Sequence, residues 1–214
     1  MKPIVCYVTS RKALGAADVV ENLLAKIRAA IAAGVDWVQI RERDMPAREL
    51  LALVKAAIGG RESKARILVN DRLDVALAAG AAGVHLGGAS VPARNVVSWL
   101  REGNSPAGFL IGVSCHSLEE AREAEDAGAS YVFFGPIFET PSKKSYGPPQ
   151  GIARLTQVCS AVRIPVIAIG GVNEENATEC VSSGAAGIAA IRMFQESREA
   201  DALKRAIAKL HRGG

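Results

Sequence analysis

Apolar residues gather along this chain in short runs that each follow directly on a glycine: Gly34-VDWVQI, Gly80-AAGVHL, Gly128-ASYVFF and Gly184-AAGIAA. Each run reads as a strand buried on both faces. The glycine ahead of it suits the left-handed position that closes a helix, where a Cβ would clash. Consecutive glycines of this set lie 46, 48 and 56 residues apart, which leaves room for a second strand and two helices in every interval. Apolar segments at Ile4 to Thr9, Arg66 to Val69, Phe109 to Ser114 and Pro165 to Ile169 supply those strands. Helical patterns fill the gaps at Asp18 to Ala33, Ala47 to Ile58, Arg72 to Ala79, Ala93 to Arg101, Leu118 to Ala127, Ile152 to Ala161, Glu174 to Ser183 and Ala200 to Leu210. Ser117 ahead of LEE and Asn173 ahead of EEN offer side-chain acceptors at two helix starts, followed by acidic residues that complement the dipole.

Eight strands alternating with eight helices predict an α/β fold, a (β/α)8 TIM barrel over residues 1–214 as one domain. Closure removes both exposed sheet edges. An open doubly wound sheet is the competing architecture, and it rarely alternates so regularly through eight units.

Composition narrows the partners. The chain has 214 residues, 49% of them hydrophobic, enough for one substantial core. Its net charge is +4 and the basic residues are dispersed, so no polybasic run is available to follow nucleic acid phosphates. Cys6, Cys115, Cys159 and Cys180 form no CxxC pair, which argues against a structural zinc site or a disulfide framework and for a reducing cytoplasm. No stretch approaches the roughly 20 apolar residues of a membrane helix, and the apolar run in MKPIVCYVTSRK is too short for a signal peptide.

In such barrels the active site lies at the carboxyl ends of the strands, and those ends are rich in cations and hydrogen-bonding groups. Gln39, Arg41 and Arg43 alternate, so all three side chains point to one side, opposite Val38 and Ile40. Guanidinium groups directed inward require a ligand anion or carboxylates such as Glu42 or Asp71. Gly170-Gly171 ahead of Asn173 puts side-chain-free backbone at a helix amino terminus, at the strand 7 and 8 exits where barrels commonly hold phosphate. The long loop from Pro136 to Gln150 carries Thr140, Ser142, Lys143 and Lys144, which are phosphate-type donors. His116 closes the fifth strand and has the side chain best matched to proton transfer near neutrality, with His85 as competitor. Cys115 points to the opposite face from its neighbours and belongs to packing.

The phrases Gln39-x-Arg41-x-Arg43, Asn70-Asp71, GPIFETPSKK, IPVIAIGG and the strand 8 segment GIAAI, which ends at Ile191, occur in the order seen in thiamine phosphate synthases. The chain resembles that superfamily from end to end. The resemblance implies small phosphorylated thiazole and pyrimidine ligands and a homo-oligomer. One branch joins a pyrimidine pyrophosphate to a thiazole phosphate with Mg²⁺; the other, the thiazole tautomerase TenI, aromatises a carboxythiazole phosphate without a metal.

NDRLDVAL, CHSLEEA and FETPSKK look like TenI forms, and Gly87-Gly88-Ala89-Ser90 stands where synthases carry a second acidic metal ligand in a GQED-like phrase. The resulting expectation is a TenI-like thiazole tautomerase with no cofactor. His116 would be its acid/base, with Gly170, Gly171, Ile191 and Arg192 around the phosphate and Gln39, Arg41 and Lys143 orienting the substrate. The alternative is a synthase in which Asp71 holds Mg²⁺ and Arg43, Asn70, Thr140, Ser142 and Lys143 hold pyrophosphate. A non-catalytic regulatory barrel that binds thiamine intermediates is the third reading.

Overall fold

A computed structural model of the chain describes residues 2–14, 19–59, 65–140, 148–197 and 200–212, and the structural statements below concern these residues. Eight parallel strands close into a barrel in chain order: β1 (Ile4–Val8), β2 (Trp37–Ile40), β3 (Arg66–Asn70), β4 (Gly83–Leu86), β5 (Leu110–Cys115), β6 (Tyr131–Phe134), β7 (Val166–Ile169) and β8 (Gly187–Ala190). The ring is sealed where β1 pairs with β8, with Ile4 opposite Gly187 and Tyr7 opposite Ala190. Around it run α1 (Val19–Ala33), α2 (Ala47–Ile58), α3 (Leu73–Ala79), α4 (Ala93–Trp99), α5 (Leu118–Asp126), α6 (Gly151–Ala161), α7 (Ala177–Ser182), α8 (Arg192–Gln195) and α9 (Ala200–Arg212).

Strand parity divides the core in two. Cys6, Val8, Trp37, Leu68, Tyr131, Phe133, Ile167 and Ala189 fill the barrel interior. Val5, Tyr7, Val38, Ile40, Val69 and Ile188, one residue out of phase, meet the helices. The helices answer at their own period: α2 buries Leu50, Leu53, Val54 and Ala57, spaced i, i+3, i+4, i+7. Truncating one of these leucines to alanine would cost about 2–5 kcal/mol.

The glycine-led phrases behave as expected, since Gly34, Gly80, Gly128 and Gly184 have φ of 103°, 70°, 87° and 98°. Ser117 caps α5 through its hydroxyl, which accepts from the Glu120 amide at 3.1 Å. Two expectations need correction. The helix drawn from Glu174 begins only at Ala177, because Asn173 Oδ1 accepts from the amides of both Glu175 and Asn176 and holds the preceding residues in a separate turn. A short helix not expected at all, α8, follows β8 directly and seats Phe194 on Tyr7 with ring centroids 5.1 Å apart.

At the amino-terminal end of the barrel, Asp36 gathers both ends of the described chain. Its carboxylate accepts from Lys2 Nζ (2.6 Å), the Val5 amide (2.9 Å) and His211 Nε2 (2.9 Å). Among the described residues, no helix is long and apolar enough to cross a membrane.

Candidate active site

A cavity of about 450 Å³ opens at the carboxyl ends of the strands. Gln39, Arg41, Arg43, Asn70, His116 and Ile191 line it, so parity and strand-end reasoning bring together six of the expected residues. The cavity floor is made by Val8, His85, Ser114, Phe133 and Ile169. Of these, Phe133 carried no chemical signal in the sequence; its inward phase relative to Tyr131 on β6 is what could have found it. Gly87, Gly88 and Ala89 form one wall, and a Cβ added at Gly88 would meet nothing within 4 Å.

The interior polar groups form a directed chain. Asn70 Nδ2 donates to Asp71 Oδ2 at 2.6 Å, and Gln39 Nε2 donates to Asn70 Oδ1 at 2.7 Å. The carboxylate can only accept when ionised, so it fixes both amide orientations. The consequence is that Gln39 Oε1 is turned away with no partner among the described residues, although Gln39 is 1% exposed. A buried acceptor left without a donor costs on the order of 1–3 kcal/mol, so this oxygen calls for an N–H from a ligand.

Without a ligand anion the two guanidinium groups were expected to meet carboxylates such as Glu42 or Asp71; Arg43 does face Asp71, whereas Glu42 is engaged elsewhere. Its carboxylate, 4% exposed, accepts from Thr9 Oγ1 (2.6 Å), the Arg11 amide (3.1 Å) and Arg11 Nη1 (3.2 Å). Beyond the end of β2, these contacts turn the Glu42 carboxylate toward Thr9 and Arg11 at the exit of β1. Arg43 lies half-exposed at the mouth, with Nε 3.8 Å from Asp71 Oδ2.

Asp71 adopts a left-handed φ of 60°, a conformation aspartate tolerates better than most residues, and this turns its carboxylate toward the β4 loop. Oδ1 accepts from the Gly87 amide at 3.2 Å and from the Ser90 hydroxyl, which itself accepts from the Gly87 amide at 2.7 Å. No group of three or more His, Cys, Asp or Glu side chains is placed to hold a metal among the described residues. One carboxylate with an adjacent hydroxyl does not hold Mg²⁺ alone. It does fit an ion whose remaining ligands are water and the phosphate oxygens of a bound substrate, the usual arrangement for Mg²⁺.

His116 follows β5 at the rim. Its Nδ1 contacts the Gly135 carbonyl, which can only accept, so Nδ1 is the donor and the neutral ring presents Nε2 as an acceptor. Glu120 Oε2 accepts from the His116 amide at 2.6 Å and fixes the backbone there. The adjacent Cys115 is fully buried against the helices and burial pushes its thiol up to about 12, so it has no nucleophilic role here.

Other expected residues fall outside the cavity lining. Gly170 and Gly171 follow Ile169, and Arg192 follows Ile191, so they stand beyond the lining residues, with Arg192 exposed on the first turn of α8. The glycine pair also has a packing role. A Cβ at Gly170 would come within 2.6 Å of Pro136, and one at Gly171 within 2.7 Å of Glu139 O and Phe138 Cβ. The Phe138 amide donates to Gly170 O at 2.9 Å, tying the loop after β6 to the end of β7. Thr140 is half-buried at the end of that described stretch; Ser142, Lys143 and Lys144 lie outside the described residues.

Comparison with known proteins bears on this site. Residues 5–194 match the family model described as thiamine monophosphate synthase. The thiamine-phosphate synthase of Methanocella arvoryzae is 42% identical over 185 residues, covering 83% of this chain and 82% of its own length. That of Roseiflexus sp. is 38% identical over 209 residues, covering 95% and 83%. In structure, a thiamine phosphate pyrophosphorylase from Pyrococcus furiosus superposes with a TM-score of 0.84 at 31% identity, covering 98% of this chain and 95% of that one. Relatives named as synthases at these identities overturn the expectation of a metal-free tautomerase with His116 as acid/base. The resemblance of three short segments to TenI forms was outweighed by the likeness of the whole chain.

Proposed function

The chain belongs to the thiamine monophosphate synthase family, and from that premise we propose that it is a thiamine-phosphate synthase, a transferase joining an aminopyrimidine pyrophosphate to a thiazole phosphate. A thiazole ring nitrogen bonds to the methylene carbon on the pyrimidine, and the bond from that carbon to the pyrophosphate oxygen breaks. The electron pair leaves with pyrophosphate and the thiazole becomes a thiazolium. This balance requires no proton transfer at carbon, so His116 acts as part of the cavity wall.

One observation of the site carries the reading. A single cavity combines Gln39 Oε1, a buried acceptor with no partner among the described residues, with the guanidinium groups of Arg41 and Arg43, whose charge favours an anionic ligand. An aminopyrimidine pyrophosphate offers an amino group at one end and the anion at the other. Arg41, Arg43 and Asn70 hold the pyrophosphate in this reading, with Thr140, Ser142 and Lys143. Gly170, Gly171, Ile191 and Arg192 hold the thiazole phosphate, at the strand exits where barrels commonly bind one. Held together, the two rings meet in a near-attack arrangement that water does not share. Asp71 and Ser90 are the residues that would hold Mg²⁺, which when bound neutralises charge on the departing pyrophosphate.

Purified protein supplied with both precursors and Mg²⁺ is expected to form thiamine phosphate and pyrophosphate in equal amounts, and to stop on addition of a chelator. No thiamine phosphate at saturating substrate concentrations would overturn the assignment.

A further inference from the structure

Inside the barrel, under the cavity, three polar groups stand in line. The Tyr131 hydroxyl is 3.1 Å from His85 Nδ1, and His85 Nε2 is 2.9 Å from Ser114 Oγ, which belongs to the cavity floor. Tyr131 and His85 are buried, whereas Ser114 is half-buried. The sequence makes space for the first contact through Gly112, where a Cβ would overlap the Tyr131 ring and hydroxyl and come within 2.6 Å of His85 Nδ1. Phe133 packs on the imidazole with ring centroids 4.2 Å apart and holds its plane.

Burial holds the Tyr131 phenol well above its ordinary ionisation range, so it remains an O–H. A buried hydroxyl proton needs an acceptor, and among the described residues the hydrogen-bond partner of this one is His85 Nδ1. A tyrosine that donates to Nδ1 leaves the neutral imidazole with its proton on Nε2. That N–H then donates to Ser114 Oγ. Ser114, engaged as an acceptor below, keeps its own O–H for whatever occupies the cavity above.

We infer that Tyr131 is a positioning residue which, by fixing the tautomer of His85, makes Ser114 a hydrogen-bond donor toward the bound substrate. The group that Ser114 selects is an unprotonated ring nitrogen. Together with the acceptor Gln39 Oε1, it matches the N–C–NH₂ edge of an aminopyrimidine, an identification that rests on the proposed synthase reading. An analogue carrying a hydrogen on that nitrogen would meet donor against donor.

The tautomer is testable without any turnover. The chain has three histidines, so ¹⁵N spectra of the protein, assigned with His116→Gln and His211→Gln, isolate the His85 signals. A protonated Nε2 and an unprotonated Nδ1 are expected, and Tyr131→Phe is expected to mix the two tautomers. A proton on Nδ1, or on both nitrogens, in the wild-type protein overturns the inference. In the synthase assay, Ser114→Ala should raise KM for the aminopyrimidine pyrophosphate roughly tenfold with a smaller effect on kcat. Tyr131→Phe should raise it in the same direction and add nothing in the double variant; additive losses would show that Tyr131 does not act through Ser114. Should Tyr131→Phe fail to fold, the wild-type tautomer and Ser114→Ala still decide. If the wild-type protein makes no thiamine phosphate, the reaction assignment falls and the tautomer alone judges the relay.

Discussion

The hydroxyl of Ser90 donates to the carboxylate of Asp71, the residue proposed to hold Mg²⁺. Replacing it by Ser90→Asp would put two carboxylates in contact, where without a cation they resist joint ionisation. With Mg²⁺ present the same pair supplies a second anionic ligand. We expect the Mg²⁺ concentration for half-maximal synthase activity to fall roughly tenfold, about 1.4 kcal/mol in affinity. An unchanged Mg²⁺ titration would mean that position 90 does not face the ion. Arg43→Ala should act differently, raising KM for the pyrophosphate substrate by about tenfold or more in steady-state kinetics, because a charge-assisted contact to a bound anion is lost. At this scale much of the site was legible. Period-2 alternation groups Gln39, Arg41 and Arg43, and all three line the cavity although β2 ends at Ile40 and Arg43 lies at its mouth. It gives no cross-strand partners, so neither the Arg11–Glu42 ion pair nor the Gln39–Asn70–Asp71 chain could be read from it, since each joins residues far apart in sequence.

Between elements, the β7 exit shows how one sequence feature answers two demands. Gly171 has φ of 69° and lies against Phe138 and Glu139, so Gly171→Ala meets both an unfavourable backbone conformation and an overlap. A loss of about 1–3 kcal/mol in denaturant unfolding is expected; a midpoint within error of wild type would show that the loop after β6 yields freely. The helix–strand interfaces also bury thiols. Burial pushes Cys115 and Cys180 up to about 12, so both should resist alkylation at pH 8 until the protein unfolds. Rapid labelling of either in the native protein would contradict their placement. Most element boundaries follow from glycine-led apolar runs and helical periodicity, and α2 matches at both ends. The short α8 did not, because four residues are too few to display a period. The late start of α7 depends on which side-chain oxygen wins the local amides, and both Asn173 and Asn176 compete there.

For the whole molecule, the amino-terminal end of the barrel acts as the anchor. Burial pushes the Asp36 carboxyl up, but hydrogen bonds from Lys2, the Val5 amide and His211 outweigh it and hold the group below its ordinary value. A depressed folded-state value means a stabilising contribution that is present above the unfolded carboxyl's value of about 3.9 and lost as pH falls through the folded one. Acid unfolding followed by circular dichroism should therefore lose part of its steepness below about pH 4 in Asp36→Asn, while the neutral-pH stability also drops. Identical acid limbs would remove Asp36 from the linkage. With the anchor at one end and the cavity at the other, the wall at Gly88 takes on a different significance. That glycine has no left-handed φ, and its missing Cβ faces open space. It is a position where an added Cβ meets no described atom, so a side chain is gained at little folding cost on the wall of the cavity. A descendant lineage could shift its preferred substrate there in a single step.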